Sequence, residues 1–129
     1  MTKEEKQLLL IDLCGRLLYG VKANIRYCDL QSDEKIKYRD IDITCFNIEQ
    51  VINNWLDCKP YLRLMSSVTE EEYIQYQETQ EWKYVDNDHY EYFDTIETFD
   101  WLNSHHFDYR GLIEKGLALE APEGMYKTE

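Results

Sequence analysis

Over the first eighteen residues, Leu9, Leu10, Leu13, Cys14, Leu17 and Leu18 recur at helical spacing and predict a core-packing helix. Thr2 with Glu5 has the spacing of a capping box at its start, and Asp12 with Arg16 forms an i,i+4 pair on the side read as polar. Gly20 is a suitable stop. The pattern then changes period. Val21, Ala23, Ile25 and Tyr27 alternate with Lys22, Asn24 and Arg26, as in a half-buried strand. "DLQSDE" (29–34) reads as a turn, and "KIKYR" (35–39) as a second strand with Ile36 and Tyr38 inward. At Asp40 the apolar register slips to Ile41, Ile43 and Cys45, which predicts a bulge or a break there. Residues 47–56 fit a helix through Ile48, Val51, Ile52, Trp55 and Leu56, although their β-branched content also suits a strand; helix is the preferred reading. Lys59 precedes Pro60 and must be extended.

The second half opens on the sharpest local signal. Thr69 with Glu72 repeats the capping-box spacing, and Val68 with Tyr73 supplies the accompanying apolar staple for a helix over 68–80. Residues 81–93, "EWKYVDNDHYEYF", sustain no period and read as an irregular, acidic, aromatic-rich connection. Asp94 with Glu97 starts another helix through about Ser104, and Asp108 caps a short one over 109–115 that Gly116 ends. The expectation is α+β, in a single domain over 1–129: a small antiparallel sheet of three to five strands, SH3-like in one version. An N-terminal helix and two or three later helices pack on it.

Charge changes this picture more than composition does. The chain of 129 residues is 43% apolar, enough for one core. Its net charge of −12 argues against a general nucleic-acid binder. Met1 to Val68 holds ten basic and ten acidic residues, whereas Thr69 to Asp100 has eleven acids against Lys83 alone, a net −10. The longest apolar run is "LLLI" (8–11), and "MTKEEKQ" lacks the basic start of a signal peptide, so a cytoplasmic location is expected. Cys14, Cys28, Cys45 and Cys58 form no C-x-x-C pair and read as reduced, partly buried thiols.

The densest chemistry lies in "WLNSHHFDYRG" (101–111). His105, His106 and Asp108 could offer metal ligands or acid–base groups, but adjacent helical residues point about 100° apart and chelate poorly. There is no H-x-x-x-H or G-x-S-x-G spacing and no Gly-rich phosphate loop. The residues favour a join between two helices. No catalytic, cofactor or metal residue is assigned.

Two blocks, "CKPYLRLMSSVTEEE" (58–72) and "FDWLNSHHFDYRGLIEKGLALEAPEGMYK" (99–127), resemble a family of short uncharacterised proteins of gut anaerobic bacteria and their phages and mobile elements. The resemblance implies a bacterial or phage context and carries no site residue. Function rests on the charge pattern. The expected role is a non-enzymatic accessory or interaction protein, an inhibitor or nucleic-acid mimic being one version. It would present an acidic, aromatic-rich surface to a macromolecular partner with a basic surface. Trp82, Tyr84, Asp86, Asp88, Tyr90, Glu91 and Tyr92 are its candidate contacts. One alternative is a small enzyme or metal-binding protein using the His105–Asp108 neighbourhood. Another is phosphate or nucleic-acid binding by a basic hairpin face carrying Lys22, Arg26, Lys35, Lys37 and Arg39.

Overall fold

The computed structural model describes residues 2–28, 31, 36–54 and 57–126. The fold is α+β, with an N-terminal helix, a four-stranded sheet, a separate two-stranded sheet and further helices. Helix α1 (Lys3–Arg16) starts at the Thr2–Glu5 capping box and continues into a 3-10 turn that Gly20 closes at φ 71°. Strands β1 (Lys22–Cys28) and β2 (Ile36–Asp42) form a hairpin. Helix α2 (Ile48–Asn54) realises the helical alternative for its segment, and β3 (Asp57–Leu62) carries the extended Lys59–Pro60 pair. The remaining part of the 47–56 reading, Trp55 and Leu56, lies outside the described residues, as do Lys35 and most of the 29–34 turn. Helix α3 (Glu70–Thr79) begins at the Thr69–Glu72 capping box. Strands β4 (Glu81–Asp86) and β5 (His89–Phe93) follow, then α4 (Ile96–Ser104) and the short β6 (Leu119–Glu120).

The larger sheet runs β2-β1-β3-β6. Its first three strands are antiparallel, while β6 joins β3 in parallel at Tyr61–Leu119 and Leu62–Glu120. The antiparallel, SH3-like version of the expectation is thus replaced by a mixed, open sheet. Its inner face meets α1 in one core containing Leu9, Leu13, Val21, Ala23, Ile25, Val51, Leu62 and Leu112. Burial of each large aliphatic side chain there contributes about 1.5–3 kcal/mol. Gly15 marks the approach of α4 to α1: a Cβ at that position would lie 3.2 Å from Asn103 Nδ2.

Several local expectations are corrected. The stripe that α1 buries is Leu9, Asp12, Leu13 and Arg16, while Leu10, Cys14 and Leu18 face solvent. The cause is tertiary. Asp12 and Arg16 are bridged at 2.9 and 3.1 Å, and Arg16 Nη2 donates to the Phe107 carbonyl at 2.6 Å, so the pair is held inside. Cys14 on the outer side of α1 is accordingly an exposed thiol; Cys45 is exposed as well, and only Cys58 among the described thiols is buried.

No bulge interrupts β2. Its register against β1 is continuous from Lys22–Asp42 to Cys28–Ile36. Arg39 therefore shares a face with Ile25, and Lys37 with Tyr27, while Ile36 and Tyr38 are exposed on the other side. The phase slip in the sequence reflects two apolar residues placed on the outer face. It also dissolves the basic hairpin face. Lys22, Asn24 and Arg26 pair across to Asp42, Asp40 and Tyr38, with Lys22 Nζ bound to Asp42 at 2.7 Å. Arg39 instead stacks on Tyr27 at 5.0 Å.

Residues 109–115 form turns rather than the expected helix. Asp108 still does the work of a cap, accepting from the backbone N–H groups of Leu112 and Ile113 at 2.8 and 2.9 Å.

Candidate functional site

Residues 81–93 are not an irregular connection but an antiparallel hairpin, the largest departure from the sequence reading. Asn87 and Asp88 both take positive φ, 42° and 59°, in the two-residue turn between the strands. Left-handed backbone at both central positions matches the right-handed twist of a hairpin, and Asn and Asp are the non-glycine residues that tolerate it best. A register shift between Tyr84 and Asp86 leaves Val85 as the extra residue before the turn.

Pairing puts the rings together. Trp82 lies opposite Tyr92, and Tyr84 opposite Tyr90, on one face. Trp82 stacks on Tyr90 with centroids 5.5 Å apart and planes within 9°, and it tilts against Tyr92 at 4.5 Å. Tyr84 meets Tyr90 edge-on at 5.5 Å. These geometries suit the ring quadrupole, and each pair contributes about 0.5–1.5 kcal/mol. The opposite face alternates charge: Glu81, Lys83 and Glu91, with Lys83 Nζ 3.5 Å from Glu81 and His89 Nε2 2.8 Å from Glu91. Asp86 and Asp88 sit at the tip.

Every residue of both strands is exposed. The four rings retain 54% (Trp82), 56% (Tyr84), 46% (Tyr90) and 49% (Tyr92) of their accessible surface. Side chains of this size normally dominate a core or an interface, and among the described residues the ring contacts of these four are with one another. All seven candidate contacts fall in this hairpin. Trp82, Tyr84, Tyr90 and Tyr92 converge on one face, Asp86 and Asp88 flank them at the turn, and Glu91 lies on the opposite face beside Lys83.

The His105–Asp108 neighbourhood is organised in another way. His105 ends α4 and stacks on Trp101 at 4.1 Å, with Nδ1 3.0 Å from the Trp101 carbonyl oxygen. His106 has a φ of 61° and turns to the other side, where it stacks on Tyr126 at 3.7 Å. Burial, aided by the nearby Arg16 charge, pulls the His106 imidazole down to about 4, so the ring is neutral at pH 7. Tyr126 in turn donates to the Tyr61 carbonyl at 2.7 Å and accepts from Lys22 N–H at 2.8 Å, and burial raises its hydroxyl to about 12. Asp108 is committed to two backbone donors. The two imidazoles and the carboxylate thus serve three separate structural joints. Among the described residues, no three His, Cys, Asp or Glu side chains group so as to hold a metal ion.

A cleft of about 1050 Å³ opens beside this join, lined in part by Arg63, Glu72, His105, Glu120, Glu123 and Tyr126. Its arginine is engaged. Arg63 holds Glu72 through two hydrogen bonds of 2.7 and 2.8 Å, which brings that carboxyl down to about 2, and it covers the Phe107 ring at 4.3 Å. At the cleft's edge Ser104 Oγ lies 3.0 Å from His105 Nδ1, and Ser104 also donates to the Trp101 carbonyl at 2.8 Å.

Sequence reasoning located the hairpin but missed its form. The signal was present: rings at 82 and 84, then at 90 and 92, alternate on either side of an Asn-Asp pair. Tyr126 was missed altogether, because its role comes from strands far away in sequence. No family model, no curated protein and no solved structure matches the chain. Among the described residues, no helix is long and apolar enough to cross a membrane.

Proposed function

We propose that the protein is a non-enzymatic interaction protein that presents the β4–β5 hairpin to a macromolecular partner with a basic surface. The observation that carries this reading is the exposed four-ring face of Trp82, Tyr84, Tyr90 and Tyr92 on an element none of whose strand residues is buried. Interface centres favour such rings within a polar rim. The net −10 over Thr69–Asp100 selects for basic partners and against polyanions. An inhibitor or nucleic-acid mimic of phage or mobile-element origin is one concrete form of this role.

The test is kinetic. Affinity capture from the natural host's lysate at low and high salt supplies the partner, and association is then measured against the triple variant Asp86→Asn, Asp88→Asn, Glu91→Gln. Asn is at home at the left-handed position 88, and the His89–Glu91 pair is an exposed one, so the fold should be spared. Steering predicts an association rate lower by about ten-fold at low salt, with dissociation little changed. An unchanged association rate in the folded variant overturns the proposal.

A further inference from the structure

We infer that the aromatic face of the hairpin reads arginine side chains in an extended peptide segment, rather than positive charge in general. This rests on the basic-partner reading above and makes it more specific.

The first ground is period. Rings at 82 and 84 on one strand, and at 90 and 92 on its neighbour, repeat every second residue, at roughly 6.8 Å along the strand. An extended peptide lying along the hairpin presents its alternate side chains at that same interval. The second ground is the kind of surface. Indole and phenol faces attract cations, and a guanidinium also stacks flat on them, which an ammonium does not. The body of the protein shows the same preference. Its four cation–π contacts among the described residues all use arginine: Arg16 and Arg110 over Tyr109, Arg39 over Tyr27, and Arg63 over Phe107. Among the described residues no cation–π contact of the chain itself falls on Trp82, Tyr84, Tyr90 or Tyr92, and beyond their mutual stacking each ring keeps about half of its surface exposed. The third ground is charge complementarity. Asp86 and Asp88 stand at the tip, at the end of the ring face, while Glu81 and Glu91 lie across the hairpin and add only to the net negative charge of the region. A second copy of this chain would instead bring −12 against −12.

The experiment measures fluorescence anisotropy of two labelled peptides of equal length and charge, an Arg-Ser repeat and a Lys-Ser repeat, titrated with the whole protein at about 0.15 M salt, where charges beyond about 8 Å are screened. The Arg-Ser repeat should bind at least about five-fold more tightly. The variant Trp82→Leu, Tyr90→Leu should lose that preference and keep the residual binding common to both peptides. Asp86→Asn with Asp88→Asn should weaken both peptides alike. Equal affinity for the two peptides overturns this inference and leaves the basic-partner reading standing; failure of both peptides to bind overturns that reading too. An arginine preference that persists in the leucine variant places the discrimination off the hairpin and likewise overturns the inference. The wild-type comparison decides the matter even if that variant loses its hairpin.

Discussion

Two stretches of this chain look alike in composition: 81–93 and 101–110 both crowd rings, acids and His into a short window. The structure uses them in opposite ways. In 101–110, Trp101 stacks on His105 and Phe107, His106 on Tyr126, and Arg63 covers Phe107, while the Asp108 carboxylate holds the nearby Leu112 and Ile113 N–H groups and the Phe107 carbonyl accepts from distant Arg16. In 81–93 Trp82, Tyr84, Tyr90 and Tyr92 pack on one another and the ionic contacts are exposed. The difference is one of neighbours, not of residue types. Segment 106–108 pairs with the chain beyond β3, through Arg63 N–H to the His106 carbonyl at 2.7 Å and Asp108 N–H to the Arg63 carbonyl at 2.8 Å. The hairpin pairs only within itself. The residues of 101–110 are tied into several elements at once, whereas the rings of the hairpin keep about half of their surface exposed.

That contrast can be broken most forcefully at Asp12. Asp12→Asn should leave Arg16 charged in a fully buried position and cost about 3–5 kcal/mol in urea unfolding. The double change Asp12→Leu, Arg16→Met should cost less, because the fully buried charge is gone and the one left without its carboxylate, Arg110, is partly exposed. A single variant as stable as wild type would mean that the pair does not hold the join.

Acid is the next lever, again on the join alone. His106 has its folded value at about 4 against 6.5 for the free side chain, so the unfolded chain binds the extra proton first. The stability that a neutral His106 brings is complete above 6.5 and is lost as pH falls from there to 4, by about 3 kcal/mol. Glu72, with its folded value at about 2 against 4.5, adds a further loss only below 4.5. Unfolding measured between pH 7 and pH 4 should show the first loss in wild type and not in His106→Asn, which tolerates the positive φ.

The smallest effect belongs to the hairpin. Trp82→Ser should change global stability by no more than about 1 kcal/mol, since an exposed two-stranded element adds little to the core. Amide exchange should separate the regions directly: rapid over 81–93, slow in β1 and β3. Exchange in the hairpin as slow as in β1 would show that it packs on the body after all.

What was legible in the sequence was local. The capping boxes at Thr2 and Thr69 need only four residues each, and both formed. The buried face of α1 was not legible, since Asp12 and Arg16 go inside only because Phe107 and Arg110 wait there. The alternation in 35–45 misled for a similar reason: register belongs to the partner strand, and β1 fixed it across the apparent slip. The candidate contacts were found through charge and ring density, while their convergence on one face depended on the Asn87–Asp88 turn, whose φ values a string of letters does not display.

The bond between Tyr126 and Lys22 spans 104 residues, and that between Arg16 and Phe107 spans 91. A ribosome makes the chain from one end, so the partners of the first strand and first helix emerge about a hundred residues after them. Until then β1 lacks its Tyr126 latch, and the buried arginine lacks its acceptor. High sequence separation of this kind slows folding, because the loop must close before the contact repays it. The hairpin, closed by two residues, has no such wait. Once residues 81–93 have emerged, the pairing of β4 with β5 waits for no residue further along the chain.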